Sequence, residues 1–500
     1  MRLYRNPFFS ALENLPKDAT VFSDGADTVS AGEIYAESLS VAAGLREKGF
    51  QDGDIAVLIV PPGRDFLHVF FAIGLLKGTM AIIDPEMGRQ NFESKLKQLK
   101  PQWIFIDSRL VLLREHPIIR FFHLRFAKRP FYVSLPGEAK IVTTGKKLPL
   151  FSNDFHLPKS NAVAGGFDDP GNHDLVITYT SGTLAEPKGV VHSVSSLYES
   201  LSHIKNQIGS NPETRIGAYL PHFLLIGICS GSPVYLFPKE QTPEWKYAFF
   251  SQHNITTLFG PPSDYLPLIK YCKEKKCKLP RKISLTMLGS APVYPNFLEE
   301  LISVCETHVE IKCIYGMTEN LVVAVADGRE KVMSDAKGDF LGAPVDGIHL
   351  TIADDGEVLV DSPQLFTRYL HLNVRETPHA TGDLGYLENG NLILTGRKKD
   401  MIIRRDTNIY PAIYEKTIRS IPGISEAVMI GNYRNDLHDE EVVLFVESEF
   451  SDEKKLMHLL SEGKFSIDKE ALPDRIVFAK IPRSGRQDKV DRKALKTLIA

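Results

Sequence analysis

The chain has 500 residues, 43% hydrophobic and 24% charged, enough to bury more than one core. Its 59 basic and 62 acidic residues leave a formal charge of −3, so no global field draws it to nucleic acid or to an anionic membrane. A small-molecule partner is expected, and five cysteines at no ligand-like spacing read as incidental thiols of a reducing cytoplasm.

The opening "MRLYRNPFFSALENLPKDAT" has no apolar stretch of signal-peptide length. "DIAVLIVPPG" predicts a buried strand ending in a turn, and Phe66 to Ile83 predicts a buried helix running into a strand, too broken by His68, Lys77 and Gly78 to span a membrane. A Lys-rich helix and the strand "QWIFID" follow. In Leu113 to Ser134 basic residues interleave with aromatics, a pattern open to an ordinary solvated face or to a peripheral lipid- or partner-facing patch.

The strand "LVITYT" leads into "TYTSGTLAEPKGVVHS". This segment lacks the G-x-x-x-x-G-K-[ST] order of a nucleotide P-loop, yet Thr180, Ser181, Gly182 and Thr183 offer hydroxyl and backbone donors and Lys188 adds a cation. Further strands, "RIGAYLP", "ITTLFGPP", "ISLTMLGSAP" and "VEIKCIYGMTE", each end in Gly, Pro or a polar turn, where parallel sheets collect ligands. Between the first two, "HFLLIGICSGSPVYLF" suits an alkyl chain, with His222, Phe223, Leu224 and Gly227 as candidate channel residues; core packing is the competing reading of Leu224. In "YGMTEN", Tyr315 offers a ring to cover a base, Thr318 a hydroxyl for phosphate and Glu319 a carboxylate for Mg²⁺.

After about residue 340 the strands become short and turn-rich, which predicts a β-rich subdomain; "TGDLGYLENGNLILTGRKKD" supplies Asp383 and Arg397 for a ribose. A compact α+β tail follows and ends in "RQDKVDRKALK", with Lys489. The fold class expected is α/β: a large N-terminal domain of layered, mostly parallel sheets with helices and a β-rich subdomain, and a small mobile α+β C-terminal domain.

With these motifs in this order, the chain resembles the adenylate-forming superfamily of acyl-CoA synthetases, luciferases and nonribosomal adenylation domains over nearly its whole length. The resemblance implies an adenylation domain at 1–399 and a lid at 400–500, with ATP and Mg²⁺ as cofactors. By it, Thr180 to Lys188 would hold the β- and γ-phosphates, and Gly289, Ser290, Ala291 and Pro292 would frame the adenine with Tyr315. Thr318 and Glu319 would serve phosphate and magnesium, Asp383 and Arg397 the ribose, and Lys489 the carboxylate and α-phosphate. Asp400 matches the family's hinge. The protein would be an AMP-forming acid-activating ligase acting on an apolar carboxylic acid, as a monomer or homodimer.

The sequence departs from the family's pattern at Leu184 and Ala185 in the phosphate loop, at Asp488 before the lysine, and at Asp406, where CoA ligases carry a glycine that lets pantetheine pass. CoA is therefore disfavoured as acceptor. The segments around these positions look closest to the olefin β-lactone synthetase and fatty-acyl ligase branch, which predicts capture of a 3-hydroxy acyl-AMP by its own hydroxyl or a non-CoA acceptor. An acyl-CoA synthetase and a nucleotide-binding protein without turnover are the competing readings.

Overall fold

The structure is a computed structural model, and it describes residues 3–25, 27–83, 89–115, 137–146, 156–160, 166–169, 171–179, 188–209, 211–372, 375–404, 407–434, 439–461, 465, 467–484 and 489–499. β-Branched and aliphatic runs buried on both faces build two large sheets, with helices packed on them. The first sheet has seven strands, in the order Arg368–Tyr369, Gly189–Ser193, Asp174–Tyr179, Thr79–Ile82, Ile55–Ile59, Trp103–Asp107 and Lys140–Thr144. The five from Asp174–Tyr179 onward are parallel, and the other two run antiparallel at one edge.

The second sheet has thirteen strands. Its parallel part runs from Thr20–Ser23 through Val234–Leu236, Ile216–Ala218, Thr257–Gly260 and Leu285–Leu288 to Glu310–Met317. The β-rich region expected after residue 340 is present, and its strands join the long sheet. Asp339–Pro344 pairs with both Asn320–Asp327 and Asn391–Arg397, so the short strands continue the long sheet antiparallel to its end. A parallel sheet ending at Glu310–Met317 would leave a row of unpaired backbone groups, and the hairpin back through Asn320–Asp327 covers them.

The helix Arg64–Leu75 and the strand Thr79–Ile82 match the buried helix-to-strand reading. Helix Ala31–Glu47 starts at a capping box, with Glu33 N–H donating to Ser30 Oγ (3.3 Å) and Ser30 N–H to the Glu33 carboxylate (2.9 Å). Among the described residues no helix is long and apolar enough to cross a membrane. The basic, aromatic segment 113–134 lies outside the described residues except for 113–115, which end the helix Ser108–Glu115.

From residue 402 on, a three-stranded sheet of Ile424–Arg434, Asp439–Ser448 and Arg475–Phe478 packs on helices Pro411–Arg419 and Glu453–Ser461. Ile418, Met429, Val442, Leu444 and Leu456 form its core, apart from the cores of the large domain. The result is a large N-terminal and a small C-terminal domain, each with its own apolar interior.

Candidate active site

The site lies where strand ends of the long sheet meet the small domain. In the register of His379–Glu388 on Asn391–Arg397, Asp383 faces Arg397, and the ion pair closes at 3.0 Å. Asp383 is nearly buried (7%) while Arg397 is 57% exposed, so the guanidinium reaches outward from a carboxylate sunk in the wall. Gly382, at φ +73°, turns the chain; its N–H donates to Glu357 (2.8 Å), and Asp383 N–H donates to Thr381 Oγ1 (3.0 Å). From Glu310–Met317, with three strands between in the same sheet, the Tyr315 hydroxyl donates to Asp383 Oδ2 (2.7 Å). Burial, reinforced by the Asp383 charge, raises the Tyr315 phenol well above its ordinary value, so it remains a donor. Each Asp383 oxygen thus has one bond from protein and a lone pair left for a vicinal diol.

Lys489 comes to the same corner from the small domain. Its two-residue strand pairs with Arg483–Ser484 as a hairpin. Burial pushes the ammonium below its ordinary value, Arg397 and Lys399 push the same way, and Asp383 opposes them. Tyr315, Asp383 and Arg397 are joined by direct bonds, although 68 residues separate the first two, and Lys489 of the other domain lies within electrostatic range of Asp383 and Arg397. Asp400 ends the turn Lys398–Asp400; Lys398 is tied to Asp355 (2.6 Å) and Glu357 (2.8 Å) of the large domain, and Asp400 faces Arg492 at 3.5 Å.

A second group holds the acidic hairpin between Glu310–Met317 and Asn320–Asp327. His192, on the strand that follows the Ser/Thr-rich loop, bonds the Thr318 carbonyl through Nε2 (2.9 Å). Burial pushes His192 down to about 4, so the ring is neutral; a carbonyl only accepts, which places its proton on Nε2. The Tyr369 hydroxyl donates to Glu319 Oε1 (2.9 Å), and Lys188 lies over the Tyr369 ring at 5.0 Å. Sequence reading missed both His192 and Tyr369.

Glu319 Oε2 has no donor among the described residues. One fixed carboxylate suits Mg²⁺, which keeps most of its shell as water and phosphate oxygen. No group of three His, Cys, Asp or Glu able to hold a metal occurs among the described residues, so this arrangement fits an ion that arrives on a polyphosphate rather than a resident one.

Gly289 ends the strand Leu285–Leu288, and a Cβ there would meet the Phe259 ring at 3.4 Å. Ser290 has φ +67°, which turns the chain so that Ser290 and Pro292 are exposed and Ala291 half-buried. His222, half-buried and pushed down to about 4 by burial, sits edge-on to Phe259, with Phe223 packed behind at 4.9 Å. Of the other expected channel residues, Leu224 is fully buried in the main core, and a Cβ at Gly227 would strike Val234 and the Ser232 carbonyl. Thr180, Ser181, Gly182, Thr183, Leu184, Ala185, Asp406 and Asp488 lie outside the described residues.

Residues 8–370 match the family model of the AMP-binding enzyme. The chain belongs to that family, within the adenylate-forming superfamily, and is an AMP-forming acid-activating ligase. It is 22% identical over 508 residues to the 2-succinylbenzoate–CoA ligase of Bacillus cereus, covering 97% of each chain. It is 24% identical over 453 residues to the olefin beta-lactone synthetase of Stenotrophomonas maltophilia, covering 81% of this chain and 78% of that one. The O-succinylbenzoate coenzyme A synthetase of Bacillus subtilis, solved in complex with ATP and magnesium ion, superposes with a TM-score of 0.76 at 19% identity, over 98% of this chain and 99% of that one.

Proposed function

We propose that the protein uses ATP and Mg²⁺ to convert an apolar, medium- or long-chain carboxylic acid to its acyl-AMP, and that a 3-hydroxy acid is then captured by its own hydroxyl. The observation that carries the first step is the bonded group Tyr315–Asp383–Arg397, with Lys489 of the small domain within electrostatic range of Asp383 and Arg397. Asp383 and Arg397 hold the ribose, Gly289 to Pro292 with Tyr315 the adenine, and Thr180 to Lys188 the β- and γ-phosphates. Residues 1–399 form the adenylation domain and 400–500 the lid, hinged at Asp400.

A carboxylate oxygen attacks the α-phosphorus, the bond to the β-phosphate oxygen breaks, and pyrophosphate leaves with the electron pair. Negative charge grows on the α-phosphoryl oxygens, and Lys489 meets it there, a contribution typically of order 10²–10³ in rate. Magnesium, held by Glu319, supplies charge neutralisation on the polyphosphate.

For the second step, a hydroxyl inside the substrate needs no tunnel and gains from proximity. Its oxygen attacks the acyl carbon, AMP leaves and the proton passes to solvent. Asp406 in place of glycine and the likeness to the olefin beta-lactone synthetase support this route. The likeness to a CoA ligase along 97% of the chain supports the second reading, thioester formation with CoA. ATP–pyrophosphate exchange with a panel of fatty and 3-hydroxy fatty acids, with and without CoA and with products identified by mass, tests both. Exchange without acyl-CoA is expected. Stoichiometric acyl-CoA from a simple fatty acid establishes the second reading, and no exchange with any acid at saturating MgATP overturns the first.

A further inference from the structure

The small domain contains a network of charges, buried at Arg419, Glu415 and Glu426, that adenylation chemistry does not itself use. Three guanidinium groups, Arg419, Arg483 and Arg492, face three carboxylates, Glu415, Glu426 and Asp400. Arg419 Nη1 donates to Glu426 Oε1 (3.0 Å) and to the Ala427 carbonyl (3.0 Å), and stands 3.9 Å from Glu415. Glu426 accepts from Arg483 (2.5 Å) through its second oxygen. Glu415 accepts from Arg492 (2.6 Å) and from the Met429 N–H (2.8 Å).

Arg483 and Arg492 bracket Lys489. Arg483 lies on the strand that pairs with Lys489–Val490, and Arg492 opens the helix Arg492–Thr497 that follows. The hairpin is thus gripped on both sides by carboxylates that converge on Arg419. The free face of Arg419 rests on the large domain, with its guanidinium carbon 3.9 Å above the ring of Tyr294. Tyr294 follows Gly289 to Pro292 after one residue and precedes the helix Pro295–Val304. Nearby, Lys416, on the same helix as Arg419, donates to the Gly338 carbonyl (3.1 Å) of the large domain.

We propose that Tyr294 is a positioning residue for adenylation: its ring is the seat on which Arg419 docks the small domain, and through Glu415 and Glu426 that seat sets the Lys489 hairpin against Asp383 and Arg397. The inference rests on the reading of Lys489 as the adenylation lysine. A guanidinium over an aromatic face is held by the ring quadrupole over a short range, and a desolvated site strengthens the attraction. Such a contact favours one domain arrangement and releases when the domains rotate, whereas an apolar interface of the same strength would need a broader surface.

The test compares wild type with Tyr294→Leu and Tyr294→Phe, using pyrophosphate exchange for kcat and KM and hydrogen exchange for docking. Tyr294→Leu should lower kcat roughly ten- to thirty-fold, leave KM for ATP and acid within about two-fold, and speed amide exchange in 411–419 and 483–490 but not in 310–327. Tyr294→Phe keeps the π face and should restore both readouts. Should Tyr294→Leu misfold, Tyr294→Met fills the space without a π face and carries the same expectation. Wild-type kcat and exchange in the leucine or methionine variant, or a phenylalanine variant as impaired as leucine, overturns the proposal. Failure of the underlying reading is visible separately, as undiminished exchange activity of Lys489→Ala, and hydrogen exchange then still judges the docking seat.

Discussion

In the large domain, Asp383 and Tyr315 stand on strands of one sheet, cross-linked by register, by Thr381 and by Arg397, over cores of buried aliphatic and aromatic side chains. In the small domain, Lys489 stands on a two-residue strand whose position is set by ion pairs running through Arg483, Glu426 and Arg419 to one ring. Apolar burial is strong and non-directional, and it suits a surface that must be in place before the nucleotide arrives. Paired charges are geometrically strict, and they suit a part that must arrive in one orientation and leave again. In the proposed reading, the binding half of the site is packed and the reacting half is steered.

The widest break between the halves comes from Lys489→Ala. On the proposed role of Lys489, removing its charge should cut the adenylation rate about 10²- to 10³-fold while ATP affinity changes less than about three-fold. Single-turnover acyl-AMP formation beside equilibrium ATP binding checks this. Equal losses in both would move Lys489 from catalysis to ground-state binding.

Protonation should break the large domain. His68 and His192 are buried there, each pushed from 6.5 down to about 4 by burial. The unfolded chain takes up these protons as pH falls through 6.5, the folded chain only near 4. The stability they hold is full above 6.5, is lost between 6.5 and about 4, and amounts to as much as about 3 kcal/mol for each histidine. A melting temperature flat from pH 7 to 4.5 would contradict this burial. His192→Gln, which keeps a donor for Thr318, should flatten part of the slope.

Asp383→Asn sharpens the comparison from the binding side. It leaves the Arg397 guanidinium uncompensated and exchanges a charge-assisted acceptor for a neutral amide, so ATP affinity should fall roughly ten- to thirty-fold. At saturating ATP, kcat should fall only a few-fold. Calorimetric titration with ATP decides, and an unchanged affinity would remove Asp383 from the ribose.

Much of this arrangement was legible because it obeys local rules. Strands such as Ile55–Ile59 are continuous apolar runs, the mark of a strand buried on both faces, and the helix Arg64–Leu75 is buried from Phe66 onward. Asp383 and Arg397 sit on two strands joined by the Glu-Asn-Gly turn that the sequence displays. The continuation of the long sheet was not legible, since short strands do not declare their partners. His192 reaches Thr318 across 126 residues, and Tyr369 reaches Glu319 across 50 from a two-residue strand. Leu224 shows a further difficulty: its apolar neighbourhood reads as a channel or as a core, and in the structure it is fully buried in the main core.

The smallest expected effect tests how Glu319 is aimed. The Tyr369 hydroxyl fixes one carboxylate oxygen of Glu319, and the same ring lies against Lys188. Tyr369→Phe keeps the ring, hence the contact with Lys188 and the packing on Phe366, and removes only the bond to Glu319. One neutral-to-charged hydrogen bond, partly replaced by water, is worth about 1 kcal/mol net, so the Mg²⁺ concentration at half-maximal exchange should rise about three- to six-fold. The maximal rate at saturating Mg²⁺ should stay within two-fold, because a correctly filled site no longer depends on how its carboxylate was held beforehand. Mn²⁺–ATP binding followed by electron paramagnetic resonance gives a second readout independent of turnover. If Tyr369→Phe instead lowered the maximal rate and left the metal midpoint unchanged, Tyr369 would act through Lys188 and the phosphate loop, and the preset carboxylate would be the wrong explanation of this bond.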